Sequence, residues 1–220
     1  MASPAIITTF ALLKNAIEDY LIRTDIDDEG VSAMCIDLAE ARFNREIRTL
    51  DMLTQDTAFT VDSQYETVPT DFLEARRFTL VRTPVVPLEY LTPEEMAQKR
   101  VDHRSAAIPL YFSVIDGNFE FLPSPNASFT GDLLYYKRLT ALDDSNTSNW
   151  LLAAHPDIYL FACMVEASSY LIEDDRAIMW EARLQGALKK LRTQDDRARV
   201  GGTPNQRWRV LGGRARRYVR

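Results

Sequence analysis

Two histidines, His103 and His155, and two cysteines, Cys35 and Cys163, are all that this 220-residue chain offers as imidazole or thiolate metal ligands. Neither histidine lies four residues from another ligand, and no Cys-x-x-Cys pair occurs, so a zinc site of ordinary spacing is not encoded. His155 precedes Pro156 and reads as a helix cap or a packing residue. His103, within Val101-Asp102-His103-Arg104-Ser105, reads as loop. There is no G-x-x-x-x-G-K-[ST], no G-x-G-x-x-G after a strand and no G-x-S-x-G elbow. The carboxylate pairs Asp27/Asp28, Asp143/Asp144, Asp174/Asp175 and Asp195/Asp196 each fall at an expected helix end or turn, where caps and dipole partners are needed. The expectation is a chain that is not an enzyme and holds no metal or cofactor.

Binding chemistry is concentrated at one end. From Arg197 to Arg220 there are eight arginines and no acid or lysine, a charge of +8. Residues 1–196 keep 18 basic groups against 32 acids, or −14, within a total of −6. The arginines are interleaved with Trp208, Val210, Leu211, Tyr218 and Val219. Arginine, tryptophan and tyrosine dominate interface hot spots, so the segment reads as a docking arm. Trp208 and Tyr218 are its expected anchors, with Arg207, Arg209, Arg214, Arg216 and Arg217 as charge partners. Two other readings compete: a solubilising end, and nucleic-acid binding through arginine on phosphate. The acidic body repels DNA and argues against the last.

The elements behind this arm fall in blocks. Thr8 or Thr9 can cap a helix to about Arg23, with Phe10, Leu13, Ile17, Tyr20 and Leu21 at helical spacing. After an acidic turn a second helix is expected over 31–53, with Ile36, Ala39, Phe43, Ile47 and Leu50 in register. Residues 57–140 are rich in proline and hold short alternating runs at 76–82, 110–114, 119–121 and 131–139. Asp116-Gly117-Asn118 between two of them is a hairpin signal. Thr92, Pro93 and Glu95 open a short helix over 92–100 with a capping box. Tyr135 and Tyr136 alternate on the last strand, one toward the core and one toward the surface. Helical spacing returns with a turn at 149–152 and a helix from Pro156 to about Ile172, striped by Ile158, Phe161, Val165 and Leu171 or Ile172. A last helix runs over about 176–195, with Ala177, Trp180, Leu184, Leu188 and Leu191 on one face.

The fold expected is α+β: an antiparallel helical bundle from the N- and C-terminal helix pairs, a small antiparallel β subdomain inserted between them, and an extended C-terminal arm. The domains expected are 1–55 with 141–196, 56–140, and 197–220. Cys35 and Cys163 lie in apolar helical segments and read as buried free thiols. No apolar run reaches the roughly 20 residues of a membrane span. The N-terminus lacks the basic lead of a signal peptide. The chain is therefore expected to be soluble and made in the cytosol, and the sequons at Asn126 and Asn146 then carry no meaning.

Four stretches resemble the head-to-tail adaptor proteins of short-tailed bacteriophages, also called gatekeeper or tail tubular proteins. They are LAEARFNREIRTLDM (38–52), VPTDFLEARRFTL (68–80), PLEYLTPEEM (87–96) and the long run from Asn149 to Leu188. The resemblance covers about residues 8–195. It implies a virion protein at the head–tail interface, made in the bacterial host cytoplasm. Its copies would form a ring, usually twelvefold, under the portal, with the helical part against portal and neighbouring copies. The strand part would face the next, nozzle-like tail component, and C-terminal arms would clasp the portal. DNA would pass through the channel without specific binding during genome ejection.

Overall fold

The computed structural model describes residues 7–22, 30–172 and 174–199. It divides the chain into two units, one of Met1–Leu50 with Thr140–Arg220 and one of Asp51–Leu139.

The first unit is built on helices. Helix α1 (Phe10–Leu21) begins where the Thr9 hydroxyl accepts the Leu12 N–H at 3.3 Å. It buries Phe10, Leu13, Ile17 and Leu21, whereas Tyr20 stays half exposed with its ring edge-on to Trp180. Helix α2 (Val31–Glu46) is shorter than its apolar spacing suggests. The Arg48 guanidinium donates to the Asn44 and Ile47 carbonyls at 2.8 and 2.7 Å and closes the last turn. Leu50 thus leaves the helical stripe and sits exposed in a 3₁₀ turn (Leu50–Met52).

Helices α4 (Trp150–Ala154), α5 (Pro156–Tyr170) and α6 (Asp174–Arg199) complete the unit, and α5 packs against α1, α2, α4 and α6. A helix surrounded this way is apolar on every side. Ile158, Tyr159, Leu160, Ala162, Cys163, Met164 and Ala167 are all buried, a wider band than the single stripe expected, while Phe161 and Val165 are only half buried.

The second unit is a seven-stranded sheet in the order β1-β7-β3-β4-β5-β6-β2. Its strands are β1 (Leu53–Val61), β2 (Tyr65–Thr67), β3 (Phe72–Leu80), β4 (Val86–Tyr90), β5 (Tyr111–Ile115), β6 (Asn118–Leu122) and β7 (Phe129–Lys137). All pairs are antiparallel except β4 with β5, which run parallel through Glu89–Tyr111 and Tyr90–Phe112. A parallel pair needs a long crossover, and residues 91–110 with helix α3 (Pro93–Lys99) supply it. Both bonds of the Thr92/Glu95 capping box are present. Asp116 and Gly117, with φ of 48° and 70°, form the two-residue turn between β5 and β6.

The fold class expected from sequence is therefore corrected. The strand unit is a curled, mixed, seven-stranded half-barrel with its own core, not a small antiparallel insert. The helical unit is not a simple antiparallel bundle either. Arg42 bonds Glu181, Arg192 bonds the Glu46 carbonyl and Arg199 bonds the Arg48 carbonyl, so α2 and α6 run in the same sense. Tyr135 and Tyr136, expected to divide between core and surface, are both buried.

The strand core centres on Phe78, whose ring meets Phe59, Phe112, Phe119 and Phe121 edge-on at 5.4–5.5 Å. Gly131 makes that possible: a Cβ there would stand 2.5 Å from Phe78 Cε2 and 3.3 Å from the Phe59 carbonyl oxygen. With four rings around it, Phe78 has nowhere to move. Gly131→Ala is expected to destabilise the protein by about 1–3 kcal/mol. Phe78→Leu frees the contested space, so the double variant should lose less than the two single losses added together. Urea unfolding of the four proteins measures this, and strict additivity would mean that Gly131 and Phe78 do not compete.

Candidate functional site

Of the carboxylate pairs singled out from sequence, Asp27 and Asp28 lie outside the described residues, whereas Asp143 and Asp195 make internal ties. Asp143 accepts N–H bonds from Ser145 and Asn146 and the Ser145 hydroxyl, which hold its carboxyl below the usual range. Asp195 accepts the Leu50 N–H at 2.7 Å and the Arg199 Nε–H at 2.6 Å. His155 joins α4 to α5 through its backbone and makes no side-chain cap bond, and His103 lies against the Tyr111 ring. Among the described residues no group of His, Cys, Asp and Glu is placed to hold a metal ion. Cys35 and Cys163 are buried free thiols. Burial, and then Glu166, push Cys35 up to about 11, and burial raises Cys163 as well, so neither is a nucleophile at neutral pH.

Two ties in the helical unit come from the motif Glu40-Ala41-Arg42-Phe43-Asn44-Arg45-Glu46. Arg42 reaches Glu181 on α6 through a two-pronged bond at 2.8 and 2.6 Å, while its Nε–H bonds Glu46 at 2.9 Å. Such a fork is geometrically specific. Hydrogen bonding from Arg42 keeps the Glu181 carboxyl below its usual range. Glu40 is buried, and its Oε1 accepts the Leu142 N–H and the Tyr159 hydroxyl, each at 3.0 Å. Asn149 Nδ2–H donates to the same hydroxyl at 2.6 Å and to the Thr140 carbonyl, while its Oδ1 caps α4. One carboxyl thus gathers α2, α5, the cap of α4 and the segment entering from residue 140. Sequence reading did not single out this node. Its signal was an acid at a helical position in phase with Ile36, Phe43 and Ile47.

The strand unit holds a second buried acid, Glu120 on β6, bonded by Arg100, Gln64 and Tyr65. It also contains an open feature. Strand β4 pairs with β3 only at residues 78–80, then swings away to pair with β5. Where the strands part lies a cleft of about 370 Å³, lined by Phe72, Leu73, Glu74, Ala75, Tyr90 and Val114. The arm residues Arg207, Trp208, Arg209, Arg214, Arg216, Arg217 and Tyr218 lie outside the described residues.

A helical unit and a strand unit in which Glu40, Asp143, Asp195 and Glu120 are tied into their own frameworks define a two-unit class of helices and curled sheet. Within it, the chain matches the model of the SU10 adaptor protein family over residues 8–208, and it belongs to that family of phage head-to-tail adaptors. It is thus a phage structural adaptor protein, and the family, which is not a class of enzymes, implies a place in the virion and interaction with its portal and tail components. No curated protein matches the chain.

The Glu40 node carries a pH dependence. Burial first, with smaller contributions from Asp37 and Asp143, raises the carboxyl to about 7 from an ordinary 4.5, against the two bonds that lower it. A raised value means that the folded protein holds the proton longer than the unfolded chain. The stability is fully present below pH 4.5 and is lost as pH rises through about 7. A shift of this size corresponds to about 3 kcal/mol. Glu40→Gln keeps an accepting oxygen and cannot ionise. Its stability relative to the native chain is expected to climb between pH 5 and pH 8, read from urea midpoints, and a difference flat with pH would show that Glu40 does not titrate there.

Proposed function

We propose that this adaptor assembles as a twelvefold ring beneath the portal and links it to the next tail component, with DNA passing through the ring without sequence-specific contact. Each copy docks through its basic arm, with Arg207, Arg209, Arg214, Arg216 and Arg217 supplying charge and Trp208 and Tyr218 supplying buried rings. The observation that carries this reading is family membership combined with the charge division of the chain, +8 in residues 197–220 against −14 in the rest. The outward face of α6 extends the arm's charge back along the helix: Lys189, Lys190 and Arg197 are exposed there, around Gly186 and Thr193. Such a face suits an acidic protein surface.

Helix α6 runs to Arg199, so an arm deletion that leaves it whole ends after residue 199. The full chain is expected to form a stacked double ring with purified portal in electron micrographs, and the 1–199 chain to fail to do so. Tyr218→Ala is expected to weaken portal binding by about 2 kcal/mol, near thirty-fold. Equal portal affinity of the full and 1–199 chains would remove the arm from the docking account. If neither chain binds portal while the full chain binds DNA with a steep salt dependence, the arm is a nucleic-acid-binding element instead.

A further inference from the structure

The described residues of the helical unit carry nine exposed large apolar side chains, and six of them fall in residues 20–22 and 170–179, at one end of the unit. The Tyr20 ring is edge-on to Trp180 at 5.8 Å, which brings the end of α1 against the first turns of α6. Ile22 stands two residues past Tyr20, Ile178 two residues before Trp180, and Ile172 between α5 and α6. These three isoleucines are 86%, 70% and 85% exposed. Ile22 and Ile172 also hold left-handed backbone, with φ of 56° and 60°, a conformation that glycine adopts freely and a β-branched residue resists. Neither the core nor the backbone has a use for a large apolar side chain at these two positions. An exposed apolar cluster of this kind marks a contact surface.

Charge selects what covers it. Residues 18–29 and 173–176, which bracket the isoleucines in the chain, hold nine acids against Arg23 and Arg176, a net −7 and half of the −14 carried by residues 1–196. The far end of α6 and the arm beyond it are opposite in sign: residues 189–220 hold eleven bases against Asp195 and Asp196. Within the arm Trp208, Val210 and Leu211 stand within four positions, beside Arg207 and Arg209. An acidic apolar tip and a basic strip with apolar anchors are complementary in both respects. They do not meet within one copy. Helix α6 rises about 38 Å from Asp174 to Arg199. Trp208, nine residues past Arg199, extends over about 30 Å, less than the length of the helix even if the arm turned straight back. Contacts between the unlike ends of successive copies are the kind that close into rings.

We infer that residues 207–211 of one copy dock on the apolar tip of the next, at Ile22, Ile172 and Ile178. Trp208, Val210 and Leu211 cover the isoleucines, and Arg207 and Arg209 face the acids on either side. The inference rests on the ring reading and refines it. Trp208 then serves the neighbouring copy, while residues 214–220, with Tyr218, extend to the portal.

Cysteine pairing in the full chain tests it. Met179→Cys is combined with Val210→Cys, and the variant is treated with a short thiol cross-linker in the portal complex and in concentrated solution. The native Cys35 and Cys163 are buried, and the unsubstituted chain is the control. Covalent multimers are expected in the portal complex. Links confined to single chains, portal rings without multimers, or no multimers in either setting would each overturn the proposal. If portal is not bound but multimers form in concentrated solution, only the portal reading sinks. Ile22→Gly with Ile172→Gly relieves the left-handed backbone, so the urea midpoint of this variant should hold or rise. Added to the cysteine pair, the same two changes are expected to lower the multimer yield about ten-fold. An undiminished yield would overturn the docking site. A fall in the urea midpoint would do the same, because it assigns the isoleucines to the fold.

Discussion

Helix α5 has almost no side that it can give to water. Its buried residues run from Ile158 to Ala167 through nearly every azimuth, so four other helices must surround it. That constraint decides where the polar groups go. Tyr159 is fully buried with a hydroxyl that must be bonded, and leaving it unmade would cost about 1–3 kcal/mol. Glu40 accepts it, Asn149 donates to it, and the N–H of Leu142 completes the set. Phe43, one turn from Glu40, lies edge-on to the Tyr159 ring at 5.0 Å. The same helix–helix contact thus supplies both the apolar packing and the polar node, and the node costs a carboxyl whose ionisation is opposed by its own surroundings.

The strand unit answers a different constraint. Seven strands curl around one aromatic cluster, and the bulk of Phe78 requires a backbone without a side chain at Gly131. The single parallel pair then decides the outline of the sheet. To reach β5, strand β4 gives up β3 after three paired residues, and the sheet opens along a seam. The cleft is therefore not an accident of loop placement. It follows from combining one crossover with otherwise antiparallel neighbours.

Much of this was legible in the sequence, and what was not has physical reasons. The hairpin at Asp116-Gly117, the Thr92/Glu95 capping box and the apolar face of α1 were readable because local chemistry fixes them. Strand β1 was not, because its residues are largely exposed or half buried at the edge of the sheet, and the heptad-like spacing through Leu50 ran on past the helix. Arg48 ends α2 through side-chain bonds to carbonyls that no periodicity reveals. Strand β4 carries Pro87 and only five residues, so it was not among the alternating runs, and its change of partner, which makes the seam, could not be foreseen. The expected all-antiparallel insert failed for the same reason: a parallel pair is a non-local fact about which strands meet. The buried Glu40 was visible as an acid in an apolar phase, but its partners come from residues 142 and 159, about a hundred positions away.

The charge division acquires a meaning when copies are brought together. Bodies of −14 repel one another, yet at physiological salt that field decays over about 8 Å and neither drives nor forbids assembly at longer range. A covalent arm has no such limit. The 21 residues from 200 to 220 span at most about 70 Å when extended. Opposite charge at the end of such a tether raises the local concentration of arginine over an acidic neighbour, which simple electrostatics between two bodies cannot do. Contacts of this kind are individually modest and add up only when many copies are aligned by a common platform. On the ring reading proposed above, the charge division therefore acts between copies only where that platform has already aligned them.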